Sequence, residues 1–132
     1  MKYSLHVTLL SMLLLQGCSA KTLYYYDGDE KRILTPESTF KQRSIENVHY
    51  YKDENGVLMG VSNRIIMKTS TGSTLETLLK THNLAMGEKL GSSMYVLITP
   101  SADMTLDIAN TLTKEDGVVF AHPDFIKEVS PR

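Results

Sequence analysis

Apolar residues crowd the start of this chain: from Leu5 to Leu15 only His6, Thr8 and Ser11 interrupt them, and no later stretch is as long. Beyond it the apolar residues come in short runs closed by turn residues, the pattern of brief strands. Leu23-Tyr24-Tyr25-Tyr26 leads into Asp27-Gly28, and Val48-His49-Tyr50-Tyr51 is followed by Asn55-Gly56 and Val57-Leu58-Met59. Asp-Gly and Asn-Gly supply the positive φ angles of tight turns between twisted strands, so two β-hairpins are expected here. The tyrosines read as strand residues with one face packed and the hydroxyl in water, rather than as a ligand platform. Between the hairpins, Thr35 to Asn47 is polar, contains Pro36 and alternates its charges, which predicts an ordered loop or at most a helical turn.

After Ser62 the rhythm changes. Arg64-Ile65-Ile66-Met67-Lys68 is a short apolar strand and Ser70 to Gly72 a turn. Ser73-Thr74-Leu75-Glu76 has the spacing of a capping box, in which the Ser73 hydroxyl accepts from a first-turn N–H and Glu76 reaches back to the cap. Leu75, Leu78, Leu79 and His82 recur at helical spacing, and Asn83 can end that helix in the left-handed conformation. Leu84 to Leu90 predicts a strand, Gly91-Ser92 a turn, and Met94-Tyr95-Val96-Leu97-Ile98 the strongest strand of the chain, stopped by Pro100. Ser101 or Asp103 caps a second helix with Leu106, Ile108, Ala109 and Leu112 as its apolar stripe; Asp116-Gly117 closes it and Val118-Val119-Phe120-Ala121 is the last strand. The order β-α-β-β-α-β makes this an α+β chain. Residues 63–126 are expected to take the ferredoxin-like arrangement, a four-stranded antiparallel sheet with both helices on one face. The other face of such a sheet is bare, and is either solvated or used for a partner.

The opening apolar run follows Lys2 and ends in Leu15-Gln16-Gly17-Cys18. It is shorter than the roughly 20 apolar residues a spanning helix needs, and it stops at a small-residue cleavage site. Residues 1–17 therefore read as a signal peptide. Leu-x-Gly-Cys resembles the bacterial lipobox, whose cysteine is acylated through sulfur and becomes the new N-terminus. The resemblance implies lipidation at Cys18 and, with Ser19 next, an anchor in the outer membrane of a bacterial cell envelope. Several acyl chains on one residue hold firmly, at about 0.8 kcal/mol per buried CH₂.

Cys18 is the single cysteine, so the mature part has neither an internal disulfide nor a thiolate for metal binding or catalysis. A net charge of −1 with both signs interspersed excludes the basic face that a nucleic-acid binder needs. The histidines His49, His82 and His122 are scattered, with no His-Glu-x-x-His, no Gly-x-Ser-x-Gly and no Gly-rich phosphate loop around them. No enzyme, cofactor or metal site is expected, and His82 reads as a helix-end residue partnered to a carbonyl rather than as a ligand.

Four pieces carry a resemblance. They are Arg64-Ile65-Ile66-Met67-Lys68, the helix Thr74-Leu75-x-x-Leu78-Leu79, the strand Gly91-x-x-Met94-Tyr95-Val96-Leu97, and the ending Glu115-Asp116-Gly117-Val118-Val119-Phe120-Ala121-His122-Pro123-Asp124-Phe125-Ile126. Together they resemble the propeptide of subtilisin-like serine proteases, a domain that also occurs as stand-alone inhibitors and chaperones. The ending is the most specific, since members commonly close on an Asp-Pro-Gly-Val-x-Tyr-Ala-Glu-Pro-Asn-Tyr type of run. Tyr24-Tyr25-Tyr26 to Leu34-Thr35-Pro36 is similar to an extension seen ahead of some of these propeptides.

The resemblance implies a function. The bare sheet face docks on two protease helices, acidic side chains near the end of the last strand cap those helices, and the C-terminal tail lies in the substrate cleft like a product. A carboxylate at an unpaired helix N-terminus gains about 0.3–1 kcal/mol when exposed. Asp124 matches an acidic position, whereas His122 stands where the family usually has Glu. The tail, Phe125, Ile126, Lys127, Glu128, Val129 and Ser130, would add a strand to the cleft edge. Ser130 falls near the scissile position, and Pro131 beyond it would make the tail a poor substrate.

The chain thus divides into residues 1–17, 18–62, 63–126 and 127–132: signal peptide, lipidated hairpin extension, propeptide-like domain and tail. The expected function is that of a lipid-anchored, stand-alone inhibitor or folding chaperone of an exported subtilisin-like protease. The alternative is an envelope structural or interaction lipoprotein that keeps the propeptide fold without binding a protease.

Overall fold

The computed structural model describes residues 22–37, 47–70 and 74–127. Cys18, Ser73, Glu128, Val129 and Ser130, all singled out by the sequence, lie outside them.

The first hairpin joins β1 (Leu23–Asp27) to β2 (Glu30–Pro36), with Asp27 opposite Glu30 and Gly28-Asp29 as the loop. Gly28 has φ +64°, the value that the first loop position of a type II′ turn requires. The second hairpin, β3 (His49–Lys52) and β4 (Leu58–Val61), differs from expectation. Asn55-Gly56 is not itself the turn; it sits within the loop from Asp53 to Val57. The Asp53 carboxylate organises that loop, accepting the N–H groups of Asn55 and Val57, both at 2.8 Å, while Gly56 supplies φ +79°.

Next come β5 (Arg64–Thr69), α1 (Leu75–Thr81), β6 (Ala85–Lys89) and β7 (Met94–Ile98). A 3₁₀ turn (Ala102–Met104) runs into α2 (Thr105–Thr113), and β8 (Val118–Pro123) and β9 (Ile126–Lys127) end the described chain. The strands pair into two antiparallel sheets, one ordered β6-β7-β5-β8 and the other β1-β2-β3-β4-β9. The protein is therefore α+β, dominated by strands, with two helices and two sheets among the described residues.

Helix ends depart from the sequence reading in detail. Thr74 precedes α1 and makes no side-chain capping bond. Ser101 precedes the 3₁₀ turn and makes none either, while Asp103 pairs with His49 at 2.6 Å. His82 does sit at the end of α1, but its partner is the Glu115 carboxylate at 3.2 Å instead of a carbonyl. Asn83 closes the helix with φ +54°, as its position predicts.

Two cores result. Along β5 the pleat buries Ile65, Met67 and Thr69 and leaves Arg64, Ile66 and Lys68 half-buried on the other face. Ile65 and Met67 pack with Tyr95 and Leu97 of β7 against Leu78 of α1 and Ile108, Ala109 and Leu112 of α2. Leu34, Met59, Val61 and Leu106 make a second core, with Leu23, Tyr25, Tyr51 and Phe125 packed against it.

The stripe that reads as one face of α2 thus serves both cores, Leu106 turning to one and its neighbours to the other. Asn110 ties the same helix to the first hairpin, its Nδ2 donating to the Tyr24 carbonyl at 2.9 Å. At the junction, the fully buried Thr105 hydroxyl donates to the Ser62 carbonyl at 2.7 Å and lies 3.0 Å from the Thr99 hydroxyl. The two hairpins, residues 23–36 and 49–61, thus pack on α2 through Leu106 and Asn110. Their sheet walls the second core, and β9, with Lys127 expected in the tail, returns to join it.

Candidate partner-binding surface

The outer face of the four-stranded sheet is set by the register. Arg64, Ile66 and Lys68 of β5 stand beside Ile98, Val96 and Met94 of β7, and beside His122 and Phe120 of β8. None of these residues enters either core. Val96 at the centre is buried, while the flanking Ile66, Met94, Ile98 and Phe120 are half-buried. Charge lies at the margin: Arg64 pairs with Asp124 at 3.0 Å and reaches Glu88 of β6 at 3.9 Å. The surface is an apolar centre with a charged rim, the composition of a partner-binding face.

Of the residues singled out near the chain end, the structure brings His122 and Phe125 together with Tyr25. His122 stacks on Phe120 with ring centroids 5.4 Å apart and 11° between planes, and lies nearly parallel to Phe125 at 6.4 Å. Its Nδ1 donates to the Pro123 carbonyl at 2.9 Å. Phe125 in turn meets Tyr25 of β1 edge-on at 4.7 Å. A row of aromatic rings therefore runs from the outer sheet face into the second core, a geometry worth about 0.5–1.5 kcal/mol per contact beyond area burial. The alternation of Phe120 and His122 is visible in the sequence; the contact with Tyr25, a hundred positions away, is not.

Asp124 is engaged within the chain. Its N–H donates to the Arg64 carbonyl at 2.9 Å, and its carboxylate accepts from Arg64 Nε. Ile126 and Lys127 are engaged too, paired as β9 with Gly60 and Met59 of β4. The sequence reading has Phe125, Ile126 and Lys127 extending toward a partner; here they complete the hairpin sheet. The physical reason is that Phe125 finds an apolar slot beside Tyr25 and Met59, and the backbone beyond it finds an unpaired β4 edge.

Two small cavities flank Tyr25. One, about 150 Å³, is lined by Tyr25, Asp27, Met59, His122, Phe125 and Lys127, and the other, about 170 Å³, by Tyr25, Asp27, Arg32, Asp53, Glu54 and Asn55. Burial pushes the Tyr25 phenol above its ordinary 10.0, and the carboxylates of Asp27, Asp53 and Glu54 push the same way against Arg32. Tyr51 is raised by burial first and then by Asp103 and Asp107. Among the described residues no group of three or more His, Cys, Asp or Glu is placed to hold a metal ion. No described helix is long and apolar enough to cross a membrane.

Comparison with protein-family models, curated proteins and solved structures gives no match.

Proposed function

We propose that this chain is an exported, lipid-anchored binding module that inhibits a subtilisin-like serine protease or assists its folding. The observation that carries the reading is the arrangement of β5 to β8. The element order β-α-β-β-α-β, with strands in the order β6-β7-β5-β8, supports reading this part as a ferredoxin-like unit, the fold expected of a subtilase propeptide. The helix face of its sheet is used by the first core, which leaves the outer face, around the half-buried Ile66, Met94 and Phe120, for a partner. The protease would meet that face, and the C-terminal segment from Glu128 to Ser130 would enter the substrate cleft.

The test is inhibition. Soluble protein spanning residues 19–132, titrated into subtilisin-like proteases of the same envelope, is expected to inhibit tightly and competitively, with residual peptidase activity as the readout. Absence of both inhibition and binding would sink the reading. Removing residues 128–132 is the informative truncation, because a cut before Phe125 would also take a side chain from the second core. The anchor has its own assay: Cys18→Ala should abolish palmitate incorporation and release the protein from the membrane fraction.

One observation favours a second reading, that of an envelope interaction lipoprotein without a protease. Asp124 is held by Arg64, and Phe125 to Lys127 are held by the hairpin sheet, so residues that a protease complex would use are engaged within the chain. Binding to another envelope component, with no effect on proteases, would place this reading first.

A further inference from the structure

Phe125, Ile126 and Lys127 have two competing uses. As the last strand of the five-stranded sheet they complete the fold of the free chain; as the start of an inhibitory tail they would have to lie along a partner. We propose that β9 is a latch: the hairpin sheet holds these three residues in cis, and a partner gains them only when β9 peels away from β4. The use by a protease rests on the function proposed above; the latch itself does not.

The attachment is small and well bounded. It comprises a two-residue ladder, Ile126 opposite Gly60 and Lys127 opposite Met59, and one half-buried aromatic ring. Ile126 is 38% exposed, so its side chain is only partly covered where it lies over Gly60. The slot is nevertheless shaped for this strand. A Cβ on Gly60 would lie 3.3 Å from the Ile126 Cβ, so the bare glycine is what lets β9 approach so closely.

Peeling would also stop at a defined place. Pro123 is fully buried, and Asp124 is fixed to Arg64 through both its backbone N–H and its carboxylate. Opening therefore frees Phe125 to Lys127 while β8 stays in its sheet and Leu34, Met59, Val61 and Leu106 stay packed. Segments with few buried contacts at a sheet edge open far more often than the core unfolds. A partner that needs the open form binds with an affinity reduced by the open fraction.

The test uses one protein in two states. Met59→Cys with Lys127→Cys, made in the soluble chain that starts at Ser19 and so lacks Cys18, places two thiols directly across the ladder, within reach of a disulfide. Hydrogen exchange needs no protease. In the reduced form the amides of β9 should exchange on the order of 100-fold faster than those of β5 and β7, and oxidation should slow them selectively. Exchange of β9 only together with the core would overturn the latch.

With a protease that the parent chain inhibits, the oxidised form should inhibit at least roughly 10-fold more weakly than the reduced form. Equal inhibition by both forms would overturn the latch and leave the protease reading standing. A parent chain that inhibits no protease would overturn that reading, and exchange alone would then judge the latch. Tyr25→Ala, which leaves the tail sequence intact, serves if the double variant misfolds. It should speed exchange in β9 but not in β5, and unchanged β9 exchange would again refute the proposal.

Discussion

At the residue scale, the positions with least tolerance are those where backbone or hydroxyl geometry joins the two sheets. A Cβ on Gly60 would lie 3.0 Å from Val48 Cγ1 and 3.1 Å from Tyr50 Cε1, on the face of the hairpin sheet opposite the second core. Gly60→Val should therefore destabilise the fold by about 1–3 kcal/mol, as overpacking does, and lower the urea midpoint. Thr105 holds the junction. Thr105→Val keeps the shape but leaves the Ser62 carbonyl without its donor, and should cost a further about 1–3 kcal/mol in the same assay. The raised phenols give a pH signature. Because burial favours neutral Tyr25 and Tyr51 in the fold, their contribution is complete below the unfolded value of 10.0 and is lost as pH rises through the raised folded values. Stability should fall as pH rises above 10.0, and Tyr51→Phe should reduce that fall.

At the element scale, what the sequence discloses is whatever a local pattern can encode. The alternation in Arg64-Ile65-Ile66-Met67-Lys68 gives both the strand and its faces, and Asn83 gives the helix end, because each depends on neighbours within a turn or a pleat. The Asn55-Gly56 turn is misplaced because its geometry depends on the Asp53 carboxylate, a side-chain acceptor that dipeptide preference ignores. β9 is invisible for a different reason. Ile126 and Lys127 carry no alternation long enough to read, and they become a strand only because β4 presents an edge and Phe125 finds its slot. α2 misleads in a third way, since an apolar stripe reports that a face is buried but not against how many partners. Its double role is testable: Leu106→Ala should cost about 2–5 kcal/mol, with the loss felt in the hairpin sheet although the mutation lies in a helix of the other unit.

At the scale of the whole molecule, the division that composition draws at Ser62 separates two sheets that share contacts across it. Contacts that cross it include Leu106 in the second core, Asn110 on the Tyr24 carbonyl, His49 with Asp103, Tyr25 against Phe125, and β9 on β4. A chain of residues 63–127 alone would expose Leu106 to water, leave the Asn110 amide without its acceptor and take the Tyr25 ring from Phe125. Each loss is modest, but together they are comparable with the few kcal/mol by which small domains are stable. The full soluble chain should accordingly unfold in one transition, with near-ultraviolet signals from the hairpin tyrosines and far-ultraviolet signals from the helices coinciding in urea. The 63–127 fragment should show a weakened or absent cooperative transition. Restoring it by adding a separate 22–61 peptide would place its missing stability in the shared α2 face. A fragment as stable as the parent would mean that the hairpin sheet is an appendage after all, and that partner binding should be sought on the propeptide-like unit alone.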